Sequence, residues 1–95
     1  MSDDTVPRSE SRGTVEDGDL LLTHAVWRNS MGSCQPETGV RHNGTWLGLV
    51  EHGWHDFDAA TPIILHALRK RWSLYRISTF MERLAERRRQ KPRFL

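Results

Sequence analysis

Apolar residues recur with helical spacing in the last third of the chain. Ile64, Leu68 and Trp72 follow one another at intervals of four, which puts them on one face of a helix. The Thr61-Pro62 pair favours a helix start, because threonine caps free N–H groups and proline has its φ angle preset for the first turn. This pattern predicts a helix over residues 62–72.

A second apolar stripe follows directly, with intervals of three, four and three. Its members are Leu74, Ile77, Met81 and Leu84. These intervals again keep the side chains on one helix face, and Ser73 is a suitable N-cap. We predict a second helix over residues 74–89, so that the chain ends in a helix pair followed by a basic tail, residues 90–95.

The apolar segment 19–29 fits two kinds of element. On a helix, Leu20, His24 and Trp27 share one face, and Asp19 is a suitable N-cap. As a strand, the same segment would carry apolar side chains on both of its faces. We predict a helix here and keep the strand as the alternative.

Residues 40–52 are also ambiguous. The Asn43-Gly44 pair is a strong hairpin signal, because both residues tolerate positive φ angles, and it predicts a short β-hairpin near residues 40–47. The competing interpretation is a short helix over residues 46–52, capped by Thr45 and closed by the following glycine. We favour the short helix, and the hairpin stays open.

The N-terminal stretch differs from the rest in composition. Residues 1–18 are rich in Ser, Asp, Glu and Gly and hold only two branched apolar residues, so we predict a disordered acidic tail. Residues 19–89 then form a single small helical domain, and the predicted fold class is mainly α. The chain start resembles no signal peptide, and no apolar run approaches the roughly 18 residues that span a bilayer, which predicts a cytoplasmic location without a membrane partner.

Charge is divided unevenly along the 95 residues. Between Met1 and Asp58, ten acidic residues face four basic ones, a net charge of −6, whereas ten basic residues face two acidic ones between Arg69 and Arg93, a net charge of +8. Such asymmetry is typical of a chain whose basic end meets nucleic acid or an acidic partner. The basic end could also pair with the chain's own acidic half, within a monomer or across a homodimer.

The second predicted helix carries most of this positive charge off its apolar stripe. The candidate binding residues are Arg76, Arg83, Arg87, Arg88, Arg89, Lys91 and Arg93. Contacts to phosphates need charge and reach, which these side chains supply. We therefore predict a non-enzymatic binding or regulatory module that acts on nucleic acid or on a nucleic-acid-handling complex. The alternative is a protein–protein adaptor or inhibitor that binds an acidic partner.

Histidines and acidic residues cluster in the middle of the chain, and zinc binding is the minor alternative. The candidate ligands are His52, His55, Cys34 and His42. Zinc prefers such side chains, but the spacing matches no standard zinc motif. A catalytic pair of Cys34 with His24, His42 or His52 is disfavoured, because the cysteine lies in a Gly/Ser/Pro-rich loop that builds no oxyanion hole. We predict no metal, no cofactor and no enzymatic activity.

Four tryptophans stand out in so polar a chain: Trp27, Trp46, Trp54 and Trp72. Each buries a large area, so we expect at least three of them in the core. An exposed tryptophan would be a contact point for a partner or a base.

Overall fold

The computed structural model describes residues 8–28 and 34–90, in which four antiparallel strands precede two helices. The elements are β1 (Arg8–Asp17), β2 (Leu20–Arg28), β3 (Cys34–His42), β4 (Thr45–Glu51), α1 (Phe57–Arg69) and α2 (Leu74–Gln90). The strands lie in the order β1-β2-β3-β4, so each pairs with its neighbour in the chain. The prediction of a mainly α, helical domain is therefore wrong, because the first half of the protein is a β-meander.

Segment 19–29 is a strand rather than a helix. β2 lies between β1 and β3 and has partners on both sides, so its apolar side chains on both faces reflect an inner strand. Asp19 caps no helix. Its carbonyl accepts the Asn43 N–H at 2.8 Å, and its carboxylate accepts a 2.7 Å hydrogen bond from His42 Nε2.

Residues 40–52 contain the hairpin, so the favoured short helix is also wrong. His42 pairs with Thr45 across a two-residue turn, in which Asn43 and Gly44 have φ angles of 51° and 82°. Such values at both positions are typical of the turn that matches the twist of hairpin strands. Gly48, with φ 140°, lies next to a register shift in β4, a backbone that no helix contains.

Residues 8–17, assigned to the disordered tail on composition, form edge strand β1 along β2. Backbone pairing supplies the order that their side chains alone do not predict. Among residues 11–17, whose side chains the structure describes, only Val15 packs against the core. Residues 1–7 and 91–95 lie outside the described residues.

The first helix begins earlier than predicted. The Asp56 carboxylate accepts the Ala59 N–H at 3.2 Å and so caps a helix over Phe57–Arg69, which corrects the predicted range of 62–72. Pro62 lies inside this helix, near its N-terminal end. The aspartate five residues before Thr61 is the stronger cap, because its carboxylate reaches the first free N–H groups.

A left-handed residue separates the helices. Arg71 has a φ angle of 65°, and the Trp72 N–H returns to the Ala67 carbonyl at 3.1 Å, a pattern typical of a Schellman cap. Ser73 Oγ then accepts the Arg76 N–H at 3.1 Å, so α2 begins with the predicted cap.

Both helices cover the same face of the sheet. The core consists of Leu22, Val40, Val50, Trp54, Ala60, Ile64, Ala67, Ile77 and Met81. Neither helix among the described residues is long and apolar enough to cross a membrane.

On the face of the sheet away from the helices, the Trp46 ring lies across Gly39. A Cβ atom added to this glycine would come within 2.7 Å of the ring. The Arg41 guanidinium lies 5.1 Å from the centre of the same ring.

Candidate functional site

The exposed side of α2 carries a basic stripe, which we define as Arg76, Phe80, Arg83 and Arg87. Their intervals of four, three and four place them on one helix face, over roughly 16 Å of helix. All four are exposed, Phe80 by 39%. The apolar residues Ile77 and Met81 are fully buried, which holds the basic stripe away from the core.

The charges of the basic stripe are available to a partner. Among the described residues, none of its three guanidinium groups forms an ion pair, whereas Arg69 of α1 pairs with Asp17 and Asp19 at 3.2 and 3.7 Å. The acids of α2, Glu82 and Glu86, lie on a neighbouring stripe of the helix. The segregation of charge seen along the chain is therefore repeated around this helix.

The remaining candidate cations behave differently. Arg88 turns towards the core, and its guanidinium lies 5.2 Å from the centre of the Trp54 ring. Arg89 belongs to the last turn of α2, but its side chain lies outside the described residues, as do Lys91 and Arg93. The structure thus brings three of the seven candidates onto one face.

Aromatic rings border the basic stripe at its N-terminal end. The Arg76 guanidinium lies 4.0 Å from the centre of the Trp72 ring, and Phe80 meets the same ring edge to face at 5.5 Å. Tyr75, one residue before Arg76, is 82% exposed. Of the four tryptophans, Trp54 is buried, Trp72 is half-buried and Trp46 is 49% exposed, while the Trp27 side chain lies outside the described residues.

A second polar arrangement lies in the core and joins the sheet to α1. Thr38 Oγ1 lies 2.9 Å from His24 Nδ1 and 2.8 Å from His52 Nε2. His24 Nε2 lies 3.0 Å from the Thr61 hydroxyl, which donates to the Phe57 carbonyl at 2.7 Å. We call these four side chains, from His52 through Thr38 and His24 to Thr61, the buried histidine chain.

The direction of every hydrogen bond in this chain follows from its two ends. The Trp54 N–H donates to His52 Nδ1 at 2.8 Å, so the neutral His52 ring carries its proton on Nε2 and donates to Thr38. Thr38 then donates to His24 Nδ1, and His24 Nε2–H donates to Thr61. Every hydrogen-bond donor and acceptor of the buried histidine chain has a partner only when both histidines are neutral.

Burial agrees with this assignment. His24 and His52 are only 2% and 3% exposed, and Phe57 stacks on the His24 ring with centroids 4.4 Å apart. Burial, together with the nearby His24, lowers the pKa of His52 to about 4. Burial also lowers the pKa of His24, and the charge of Asp58 opposes this shift in part.

A buried carboxyl occupies the other face of the sheet. Glu37 precedes Thr38 in β3 and therefore points away from the helices. It is 8% exposed and directly opposite Glu51 of β4. Burial and the Glu51 charge raise the pKa of Glu37 to about 7. In the described part of the chain, its carboxyl group has no hydrogen bond or ion pair.

The metal candidates do not come together. His52 belongs to the buried histidine chain, His42 bonds to Asp19, and His55 is exposed. Cys34 opens β3 opposite Arg28, and its side chain lies outside the described residues. Across residues 8–28 and 34–90, no three His, Cys, Asp or Glu side chains are grouped as a metal site requires.

The sequence predicts the basic stripe but not the contacts of the buried histidine chain. The intervals within α2 were visible, and they predict the basic stripe once the helix is accepted. The pairing of His24 with Thr38 depends on the register between β2 and β3, which a helical interpretation of segment 19–29 hides.

Comparison with family models, with curated proteins and with solved structures found no match for this chain.

Proposed function

We propose that the protein binds nucleic acid, without catalysing a reaction, through the basic stripe of α2. The observation that carries this proposal is the alignment of Arg76, Arg83 and Arg87 on one exposed helix face, with no ion pair to any of them among the described residues. A row of cations that the fold itself does not neutralise attracts a polyanion, and binding releases the counterions condensed on its phosphates.

The aromatic side chains favour nucleic acid over an acidic protein. Phe80 lies within the basic stripe, and Trp72 and Tyr75 border it. Basic surfaces interleaved with aromatic rings are typical of proteins that contact both the phosphates and the bases. An acidic protein partner would need only the charges, and it becomes the account of this surface if nucleic acid does not bind.

We also propose that the protein acts in the cytoplasm, because that compartment holds both nucleic acid and the proteins that handle it. Cell fractionation with an antibody against the native protein tests this location.

Salt dependence tests the function. Fluorescence anisotropy with random-sequence DNA and RNA, measured between about 50 and 200 mM salt, should give a linear fall of log affinity with log salt. Arg83→Gln and Arg87→Gln should each flatten the slope by about 0.7 to 0.9 and weaken all sequences alike. No binding of DNA or RNA at about 50 mM salt would refute the proposal.

Arg41→Gln is the matched control. It removes one positive charge, as the other two substitutions do, but from the sheet face, where Arg41 covers Trp46. We expect it to leave the salt slope unchanged. An equal effect of all three substitutions would show that net charge alone governs binding, and the assignment to α2 would be wrong.

A further inference from the structure

We propose that α2 selects single-stranded over double-stranded nucleic acid, with unpaired bases stacking on Tyr75 and Phe80 beside the arginines. This inference rests on the proposed function and narrows its ligand class. It starts from two rings that the fold leaves exposed, Tyr75 by 82% and Phe80 by 39%, on a helix whose inner residues Ile77 and Met81 are fully buried.

Tyr75 has no structural task among the described residues. Its ring contacts no other aromatic ring there, and its hydroxyl group has no hydrogen-bond partner. A large ring held in water in the first turn of a helix gains nothing from the hydrophobic effect. Its neighbour Arg76 has no carboxylate partner in that part of the chain either. Consecutive helix positions point about 100° apart, so Tyr75 lies on one side of Arg76 around α2 and Phe80 on the other.

Phe80 is exposed but held in place. Its ring meets Trp72 edge to face with centroids 5.5 Å apart, and the Arg76 guanidinium covers another part of Trp72 at 4.0 Å. These contacts fix the positions of a ring and a cation before a ligand arrives. Less side-chain entropy is then lost on binding.

A duplex makes few contacts with the exposed aromatic rings of α2. Inside a duplex the faces of the bases are covered by their neighbours, and a helix in the major groove reads base edges with hydrogen-bonding side chains. Unpaired bases offer free faces that stack on aromatic side chains and guanidinium planes. The phosphates of either form can meet Arg83 and Arg87, so the rings are what separates the two ligands.

The test measures the affinity of the full chain for two oligonucleotides at equal salt. One is single-stranded, and the other contains the same sequence in the duplex stem of a hairpin. Tyr75→Leu keeps an apolar side chain but removes the ring, and we expect it to weaken single-strand binding about 5- to 150-fold while changing duplex binding little. Tyr75→Phe should restore the affinity. Because Tyr75 is so exposed, neither substitution disturbs the core.

Trp46→Leu is the ring-matched control, since Trp46 is also exposed, by 49%, but lies on the sheet, and we expect no change in affinity. Equal affinities of the wild-type protein for single strand and duplex, or wild-type affinity of Tyr75→Leu, would overturn the inference. In either case an intact salt slope would leave the proposed function standing. Absence of binding to both ligands would overturn the inference together with the proposed function.

Discussion

The backbone N–H of Trp54 donates a 2.8 Å hydrogen bond to Nδ1 of His52, two residues earlier in the chain. This contact makes His52 the fixed end of the buried histidine chain, because a protonated Nδ1 would point its proton at another donor. The Trp54 indole Nε1–H in turn donates to the Met81 carbonyl of α2 at 3.0 Å. The protonation state of His52 is thereby connected to the contact between the sheet and α2.

The first prediction concerns acid and the variant Glu37→Gln. The depressed pKa of His52 contributes stability that is present above its ordinary value of 6.5 and lost as pH falls towards about 4. The difference between these two pKa values corresponds to roughly 3 kcal/mol in the free energy of unfolding, and the lowered pKa of His24 changes stability in the same direction. In Glu37→Gln, urea unfolding should show stability that rises with pH between 4 and 6.5. A flat profile for this variant would contradict the neutral histidine pair.

The second prediction has the opposite sign and uses His52→Gln, whose amide can accept from Trp54 and donate to Thr38. The pKa of Glu37 is raised from 4.5 to about 7, so its contribution is full below pH 4.5 and is lost as pH rises towards 7. Relative to the double variant His52→Gln/Glu37→Gln, which keeps the same His24 contribution, the free energy of unfolding of His52→Gln should therefore fall over this range. In the wild-type protein the raised pKa of Glu37 opposes the lowered pKa values of His52 and His24 between pH 4.5 and 6.5, and we expect stability to rise with pH less steeply there than in Glu37→Gln.

The third prediction concerns the centre of the buried histidine chain. Thr38→Val keeps the shape of the side chain but leaves His52 Nε2–H and His24 Nδ1 without their partner. We expect a loss of about 2 to 4 kcal/mol, measured by urea unfolding. Thr79→Val is the control, because among the described residues the Thr79 hydroxyl bonds only to the Tyr75 carbonyl of its own helix, and it should cost less than about 0.5 kcal/mol. Equal losses of unfolding free energy in the two variants would show that the hydrogen bonds of the buried histidine chain stabilise the protein no more than a single exposed hydrogen bond does.

Sequence reasoning succeeded where the structure depends on local spacing. The stripe from Leu74 to Leu84 and the Ser73 cap predict α2, because helix contacts join residues three or four apart. It failed where partners are distant in the chain. Segment 19–29 has helical and strand patterns of similar quality, and only its pairing with β1 and β3 decides between them.

The residues of the candidate site and of the buried polar groups divide in the same way. Arg76, Arg83 and Arg87 were found because their positions on one helix face follow from intervals of seven and four. Glu37 was not singled out, because nothing in its sequence neighbours shows that Glu51 lies opposite or that the site is buried. Thr38 was missed for the same reason, since its two histidine partners are each 14 residues away.

The fourth prediction uses the turn between the helices. Arg71 adopts φ 65°, a left-handed conformation that costs a side-chain-bearing residue energy and that glycine adopts readily. Arg71→Gly should therefore stabilise the protein by about 0.5 to 1 kcal/mol, seen as a higher thermal midpoint. Lys70→Gly is a control with the same change of charge at the preceding residue, whose φ is −87°, and it should not stabilise. A lower midpoint for Arg71→Gly would show that the arginine side chain contributes more than the strain costs.

Mapping of backbone amide shifts by NMR tests the central claim most directly, because it locates the bound ligand on the protein. Titration of the isotopically labelled protein with a single-stranded oligonucleotide at about 50 mM salt should move the amide signals of residues 75–87 in α2. Signals around Arg41 and Trp46 on the opposite layer should stay in place. Shifts confined to the sheet face, or none in α2 at saturating oligonucleotide, would contradict the account.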